Sequence, residues 1–268
     1  MQSCSYKIVK LNTARNALRY IIKAFNIKEI YIPYYLCPAI RNAVLKEQCK
    51  INFYHIDINF EPLSDFPDDA YILYPNYFGV CSWIVEKLAL KYKNLIADNA
   101  HSFFSEPVGI ASFNSVRKFF TKIKDGAFLY TTKTLDINFP KDTYEYEHKI
   151  LSYEELCKNE NRLDKEDIKI MSACTENYFT SENIDEIKQT YIKNYEKYHK
   201  NYCSQNRLIF KLKENDVPYK YPYLADTMEN AEKTALEFNK NGIIIFRYWN
   251  NMPDSFTEKE FYTKLVAI

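Results

Sequence analysis

Asp98 and Lys118 are the residues of this sequence whose types and positions best suit cofactor chemistry. Residues 95–97 form a short apolar run typical of a buried strand, and Asp98 follows it directly. Open α/β sheets bind ligands at the carboxyl ends of their strands. A second apolar stretch, at 110–113, precedes Lys118. A lysine and an acid at one sheet edge suit pyridoxal 5'-phosphate (PLP), which forms a Schiff base with a lysine and pairs its pyridinium nitrogen with an acid.

A candidate anion site precedes these residues in the chain. Thr13 is a suitable N-cap for a helix predicted at residues 14–25. The first amides of such a helix, those of Ala14 and Arg15, can bind a phosphate if they face a ligand. The alternative is an ordinary capped helix without a ligand.

The first half of the chain alternates strands with helices. Hydrophobic patterns predict strands at residues 29–32, 51–56, 70–74, 95–98, 110–113 and 127–131, and helices at 14–25, 38–45 and 83–92. This alternation predicts an α/β fold with a mainly parallel sheet that is covered on both faces.

The second half of the chain is more irregular. Residues 132–182 are charged and are predicted to connect elements through one or two short helices. Aromatic residues at helical spacing predict a long helix at 183–204, in which the aromatic stripe serves packing. We then expect strands at 208–211, after 218–222 and at 243–248, with a helix at 230–241. This organisation predicts a large α/β domain at 1–182 and a small α+β domain at 183–268.

Composition excludes several classes of protein. The net charge of +1 gives no reason to expect a nucleic-acid partner. The seven cysteines are odd in number and contain no CxxC pair, which argues against a disulfide framework and a zinc site. The same cysteine pattern suits a reducing cytoplasm and gives no metal partner. No apolar run approaches membrane-spanning length, so we expect no membrane partner. An ordinary nucleotide-binding domain is disfavoured because no GxGxxG or P-loop pattern occurs.

Several segments, in order, resemble those of the DegT-type sugar aminotransferases, which are PLP enzymes of fold type I. Residues 11–18 (Leu-Asn-Thr-Ala-Arg-Asn-Ala-Leu) resemble the family's opening Ser-Gly-Arg/Thr-x-Ala-Leu segment, and 32–37 (Ile-Pro-Tyr-Tyr-Leu-Cys) its Pro-x-Tyr segment. Residues 76–79 (Asn-Tyr-Phe-Gly) and 98–102 (Asp-Asn-Ala-His-Ser) resemble its Tyr/Phe-Gly and Glu-Asp-x-Ala-His segments. Residues 115–118 (Ser-Val-Arg-Lys) with Asp125-Gly126, and 241–243 with Trp249 and Pro253, resemble its Ser-x-x-Lys and Gly-Ile…Trp-Pro regions.

The resemblance implies a role for each matched residue. Lys118 would form the Schiff base and move the proton, Asp98 would pair with the pyridinium nitrogen, and His101 would pack near the ring. Ser115, or Thr13, would add a hydroxyl to the phosphate site at the first amides of the helix at 14–25. Without the resemblance, a lysine in this context is typical of a basic surface turn, and Asp98 of a helix cap.

Five other positions of the matched segments bear on the pocket or on the phosphate site. Cys37 stands where many family members place an aromatic residue that stacks on the cofactor. Tyr34, Tyr35 and Tyr77 are candidates for a substrate pocket or for the core. Ala14 stands where glycine is usual, and the chain is shorter than typical members, with the loss after residue 131.

The resemblance also implies an activity. We expect a homodimer that transfers an amino group from an amino acid, with glutamate as the expected donor, to a nucleotide-linked keto-sugar used for a polysaccharide or an antibiotic. The alternatives are a sugar dehydratase or epimerase of the same fold, and a shortened, non-catalytic relative that binds a sugar nucleotide or a partner. Some dehydratases of this fold replace the lysine with histidine, so Lys118 favours the aminotransferase.

Overall fold

A seven-stranded mixed sheet forms the centre of the molecule. The computed structural model describes residues 5–243, 245, 247–249 and 252–268. The strands are β1 (Lys7–Leu11), β2 (Glu29–Pro33), β3 (Lys50–Tyr54), β4 (Ile72–Pro75), β5 (Leu95–Asn99), β6 (Ala111–Asn114) and β7 (Ala127–Thr131). Their order is β1-β7-β6-β5-β4-β2-β3, and the run from β3 to β6 is parallel, whereas β7 is antiparallel to both neighbours. The mainly parallel α/β sheet is therefore confirmed, and β1 is an addition to the predicted strands.

Four helices follow strands of this sheet. They are α1 (Ala14–Phe25), α2 (Pro38–Lys46), α3 (Ser82–Lys91) and the single turn α4 (Val116–Phe119). Thr13 caps α1 as predicted, because its Oγ1 accepts the Asn16 N–H at 3.1 Å. The helix then ends at Asn26, which adopts a left-handed conformation, φ 53°.

The connecting region after β7 contains α5 (Tyr153–Leu163) and α6 (Ala173–Ser181), which confirms the prediction of short helices at 132–182. The long helix α7 (Ile184–Tyr202) follows. Its aromatic stripe packs as expected, since Tyr195 is buried. The Tyr191 hydroxyl also donates to the backbone carbonyl of Lys118 at 3.1 Å, which ties α7 to α4.

The C-terminal part contains β8 (Pro222–Leu224), α8 (Met228–Lys240), α9 (Lys259–Lys264) and β9 (Leu265–Ala267), with β8 and β9 antiparallel. The strand predicted at 208–211 is wrong. Asn206 Oδ1 accepts the N–H groups of both Leu208 and Leu224, so a side chain takes the place of a strand partner. The strand predicted at 243–248 includes residues 244 and 246, which lie outside the described residues. The domain boundary at 182 stays a prediction.

Successive residues of the central strands point to opposite cores. Leu95 and Ala97 belong to one hydrophobic cluster, and Ile96 belongs to the other. Helices α1 and α2 contribute to the cluster of Ile96, whereas C-terminal residues such as Leu224 pack in the other. Both faces of the sheet are therefore covered, which leaves its strand ends as the place for a site. In the described part of the chain, no helix has the length and apolarity needed to cross a membrane.

Candidate active site

A cavity of about 260 Å³ lies at the carboxyl ends of β4 and β5. This is slightly below the range of about 300–1,000 Å³ that is usual for small-molecule sites. The predicted site residues that line it are Ala14, Arg15, Cys37, Asp98, His101, Ser115 and Lys118. Residues from four separate segments of the sequence therefore meet at one edge of the sheet.

Asp98 provides a buried acid in this cavity. It is 6% exposed, and its Oδ1 accepts the Ala100 N–H at 2.9 Å. Among the described residues, this is the only hydrogen bond of its carboxylate. Burial raises the pKa of Asp98 to about 6, although the Ala100 amide and the charge of Lys118 act in the opposite direction. The second carboxylate oxygen is therefore available to a cation or an N–H group of a ligand.

Lys118 provides an amine with a lowered pKa. The residue lies in α4, directly after β6, and its Nζ is 5.7 Å from the centre of the Tyr219 ring. Burial, followed by the charge of Arg117, lowers the pKa of Lys118 to about 8. The unprotonated fraction of the amine near neutral pH is therefore much larger than that of an ordinary lysine, which favours its action as a nucleophile.

His101 forms part of an aromatic stack at the cavity wall. Its ring centre lies 4.9 Å from that of Tyr219, with an interplanar angle of 21°, and 6.1 Å from that of Trp249, with an angle of 7°. Burial and the charge of Lys118 hold the pKa of His101 well below its usual value. The imidazole ring is therefore neutral, and it can border a planar ligand.

The residues predicted to bind the cofactor phosphate lie together, next to the N-terminus of α1. Thr13, Ala14, Arg15 and Ser115 line a small adjoining void of about 30 Å³. The Thr13 hydroxyl already caps α1, whereas the Ser115 hydroxyl makes no capping bond to α4. The first amides of α1 and the Ser115 hydroxyl are therefore donors at this end that could hold a phosphate.

The remaining predicted residues have different surroundings. Cys37 lines the cavity, and burial raises the pKa of its thiol. Three predicted tyrosines do not line it. Tyr34 stacks on Phe53 at 4.7 Å, and Tyr35 and Tyr77 are fully buried in the core, where the Tyr77 hydroxyl donates to the Tyr35 carbonyl. A substrate role for these tyrosines stays a prediction.

Several lining residues carry no predicted role. Asn76 and Trp249 lie in segments that carry the family resemblance, so the sequence held a signal for them. Glu160 comes from α5, in the charged region that gave no site prediction. Its carboxylate lies 2.7 Å from Arg15 Nη2 and 2.5 Å from Arg117 Nη2.

The donor set fits PLP. Asp98 has an unfilled acceptor position, Lys118 has a partly unprotonated amine, and both line one cavity with the amides that begin α1. These are the three features that the cofactor needs for its ring nitrogen, its aldehyde and its phosphate. In the described residues there is no cluster of side chains able to hold a metal ion.

Comparisons with known proteins bear on the fold. No family model matches the chain, and no curated protein matches it in sequence. Similar solved structures include a DegT DnrJ EryC1 StrS aminotransferase from Brucella abortus, with 11% identity, a TM-score of 0.61, and coverage of 97% of this chain and 80% of that one. PseC from Helicobacter pylori, an aminotransferase involved in the biosynthesis of pseudoaminic acid, has 14% identity, a TM-score of 0.62 and coverage of 97% and 80%. The PLP form of Spr1654 from Streptococcus pneumoniae has 14% identity, a TM-score of 0.62 and coverage of 98% and 81%. The chain therefore has the fold of the DegT-type aminotransferases, as the resemblance implied.

Proposed function

We propose that this protein is a PLP-dependent aminotransferase that moves an amino group from an amino acid, with glutamate as the expected donor, to a nucleotide-linked keto-sugar. The observation that carries the proposal is that Lys118 and Asp98 line the same cavity at the sheet edge. A basic surface turn, the alternative for Lys118, would leave its amine in solvent with an ordinary pKa. Burial instead lowers the pKa of this amine to about 8.

The roles of the residues follow from their surroundings. PLP supplies, when bound, the electron sink that stabilises negative charge on the amino-acid Cα. Lys118 would hold the cofactor covalently, and its amine, with a pKa near neutrality, can accept and return a proton. Asp98 would accept a hydrogen bond from the ring nitrogen through its free oxygen. The amides of Ala14 and Arg15 and the Ser115 hydroxyl would hold the phosphate, and His101 would border the ring.

The sugar substrate is supported by the structural neighbours. PseC is an aminotransferase involved in the biosynthesis of pseudoaminic acid, and Spr1654, solved in a PLP form, is a sugar aminotransferase by name. A sugar acceptor, a homodimeric assembly, a cytoplasmic location and a small C-terminal domain that begins near residue 183 are parts of the same proposal.

Reconstitution with PLP tests the proposal directly. We expect the wild-type protein to develop the visible absorbance of lysine-bound PLP, and Lys118→Ala to lose it. Lys122→Ala is the matched control, because Lys122 is exposed and lies outside the cavity. Glutamate should then convert the bound cofactor to its amine form, and a panel of nucleotide-linked keto-sugars should restore the first spectrum.

Other outcomes identify the alternatives. Absence of the band in wild type with excess PLP would point to a non-catalytic relative. Loss of a sugar hydroxyl without gain of nitrogen, measured by mass spectrometry of the product, would identify a dehydratase. An unchanged band in Lys118→Ala would refute the assignment of this lysine.

A further inference from the structure

The end of the cavity that carries the first amides of α1 also contains a carboxylate of the protein itself, that of Glu160. Glu160 bridges two arginines, with Oε2 at 2.7 Å from Arg15 Nη2 and Oε1 at 2.5 Å from Arg117 Nη2. Arg15 also pairs with Asp164, the residue that caps the C-terminus of α5. Two carboxylates thus neutralise two guanidinium groups next to the amides that begin α1. An anion that enters here meets cations that already have partners.

The members of this cluster differ in exposure. The side chains of Arg15 and Arg117 are 9% and 17% exposed, whereas that of Glu160 is 42% exposed. The arginines are therefore held inside the wall of the cavity, and the carboxylate borders solvent. A rotation of the Glu160 side chain can carry its carboxylate into water, where the charge is solvated at little cost.

Helix α5 itself is anchored on both sides of Glu160. The Asn159 side-chain amide donates to the Lys124 carbonyl at 2.7 Å. The Arg162 guanidinium lies 3.6 Å from the centre of the Tyr144 ring and 3.5 Å from Asp125 Oδ2. Displacement of the Glu160 carboxylate is thus a matter of one side chain and leaves the helix in place.

We propose that Glu160 is a displaceable counter-ion that closes the anion subsite of the cavity, and that a phosphate monoester binds by replacing its carboxylate between Arg15 and Arg117. That this ester is PLP rests on the function proposed above. A phosphate and a carboxylate at the same guanidinium groups repel each other, so the two anions compete.

The charge state of Glu160 agrees with this role. Burial alone would raise the pKa of its carboxyl, but the neighbouring cations, Arg117 first among them, lower it below its usual value. The carboxylate is ionised at neutral pH and competes there with any incoming anion.

Titration calorimetry without covalent attachment tests the competition. Inorganic phosphate and pyridoxamine 5'-phosphate are titrated into wild type, Glu160→Gln and Glu154→Gln. Removal of the competing charge should tighten the binding of both ligands to Glu160→Gln by about tenfold or more. Glu154→Gln is the matched control on the same helix, since Glu154 is 77% exposed and pairs with Lys158 instead of the arginines. Its affinities should equal those of wild type, and pyridoxamine, which lacks the phosphate, should bind all three proteins equally.

Equal or weaker phosphate binding by Glu160→Gln would overturn the proposal, since Glu160 would then position the arginines for the ligand. Phosphate binding too weak to detect in all variants would overturn it as well. Glu160→Ala replaces Glu160→Gln if circular dichroism shows that the latter does not fold. If wild type forms no lysine-bound PLP while Glu160→Gln still binds phosphate more tightly, the proposed function fails and the counter-ion role stands. If wild type forms lysine-bound PLP while Glu160→Gln binds phosphate no more tightly than wild type, the counter-ion role fails and the proposed function stands.

Discussion

Asp98 and Lys118 are both shifted towards their neutral forms, because burial of each group outweighs the attraction between them. The pKa of Asp98 rises to about 6 and that of Lys118 falls to about 8. A buried carboxyl with this shift binds its proton more strongly in the folded chain than in the unfolded chain. Its contribution to stability is therefore complete below pH 4 and is lost as the pH rises through about 6.

Asp98→Asn should remove this pH dependence. The shift from 3.8 to about 6 corresponds to roughly 3 kcal/mol at 1.36 kcal/mol per pKa unit. We expect the variant, without PLP, to be more stable than wild type by about that amount at pH 7.5 and equal to it near pH 4. Urea unfolding at a series of pH values measures the difference. A difference that is the same at both pH values would show that Asp98 is solvated in the folded protein.

At the scale of elements, the turn after β4 fixes the wall that holds His101. Gly79 has φ +77°, and a Cβ there would lie 2.4 Å from the His101 carbonyl oxygen and 3.0 Å from Pro218 Cα. Gly242 has a similar φ of +78°, but a Cβ there would meet nothing within 4 Å. A substitution at either glycine carries the cost of a left-handed backbone. Only at Gly79 would the new side chain also collide with its neighbours.

Alanine substitutions at Gly79 and Gly242 should separate the backbone cost from the steric cost. Gly242→Ala should lose about 1 kcal/mol from the backbone conformation alone. We expect Gly79→Ala to lose about 2 kcal/mol or more beyond that, because the backbone of the His101 segment must move. Chemical denaturation of both variants measures the difference. Equal losses would mean that this turn relaxes without disturbing the cavity wall.

At the scale of the molecule, a buried glutamate joins the C-terminal part to the sheet. Glu258 is 0% exposed, its Oε1 accepts the Ile56 N–H at 3.0 Å, and the same oxygen lies 3.0 Å from His55 Nδ1. These partners are about 200 positions apart in the sequence. The contact fixes the segment before α9 on the connection between β3 and β4.

Glu258→Ala should destabilise the whole protein by about 3 kcal/mol, because it leaves the Ile56 N–H buried without a partner and opens a small cavity. Glu258→Gln should cost less, since its amide oxygen can still accept from Ile56. Guanidinium unfolding compares the two variants with wild type. A loss below about 0.5 kcal/mol for the alanine variant would show that water replaces the carboxylate.

Local patterns determined much of this protein. The cap at Thr13, the strand that ends at Asp98 and the helix α7 follow from hydrogen bonding and hydrophobic periodicity within a few residues, and the structure places them within one or two positions of the prediction. The meeting of Asp98 with Lys118 at one cavity also follows from the sequence, since carboxyl ends of parallel strands share a sheet edge.

Only the tertiary structure decided which side chains face that cavity and which charges surround it. Tyr35 and Tyr77 lie in matched segments but point into the core, and β1 acquires its strand conformation by pairing with β7. Glu160 reaches Arg15 across 145 positions of sequence, and no periodic pattern records such a contact. Contacts of this kind depend on how distant helices pack on the sheet, whereas a sequence pattern reports only which face of its own element each residue occupies.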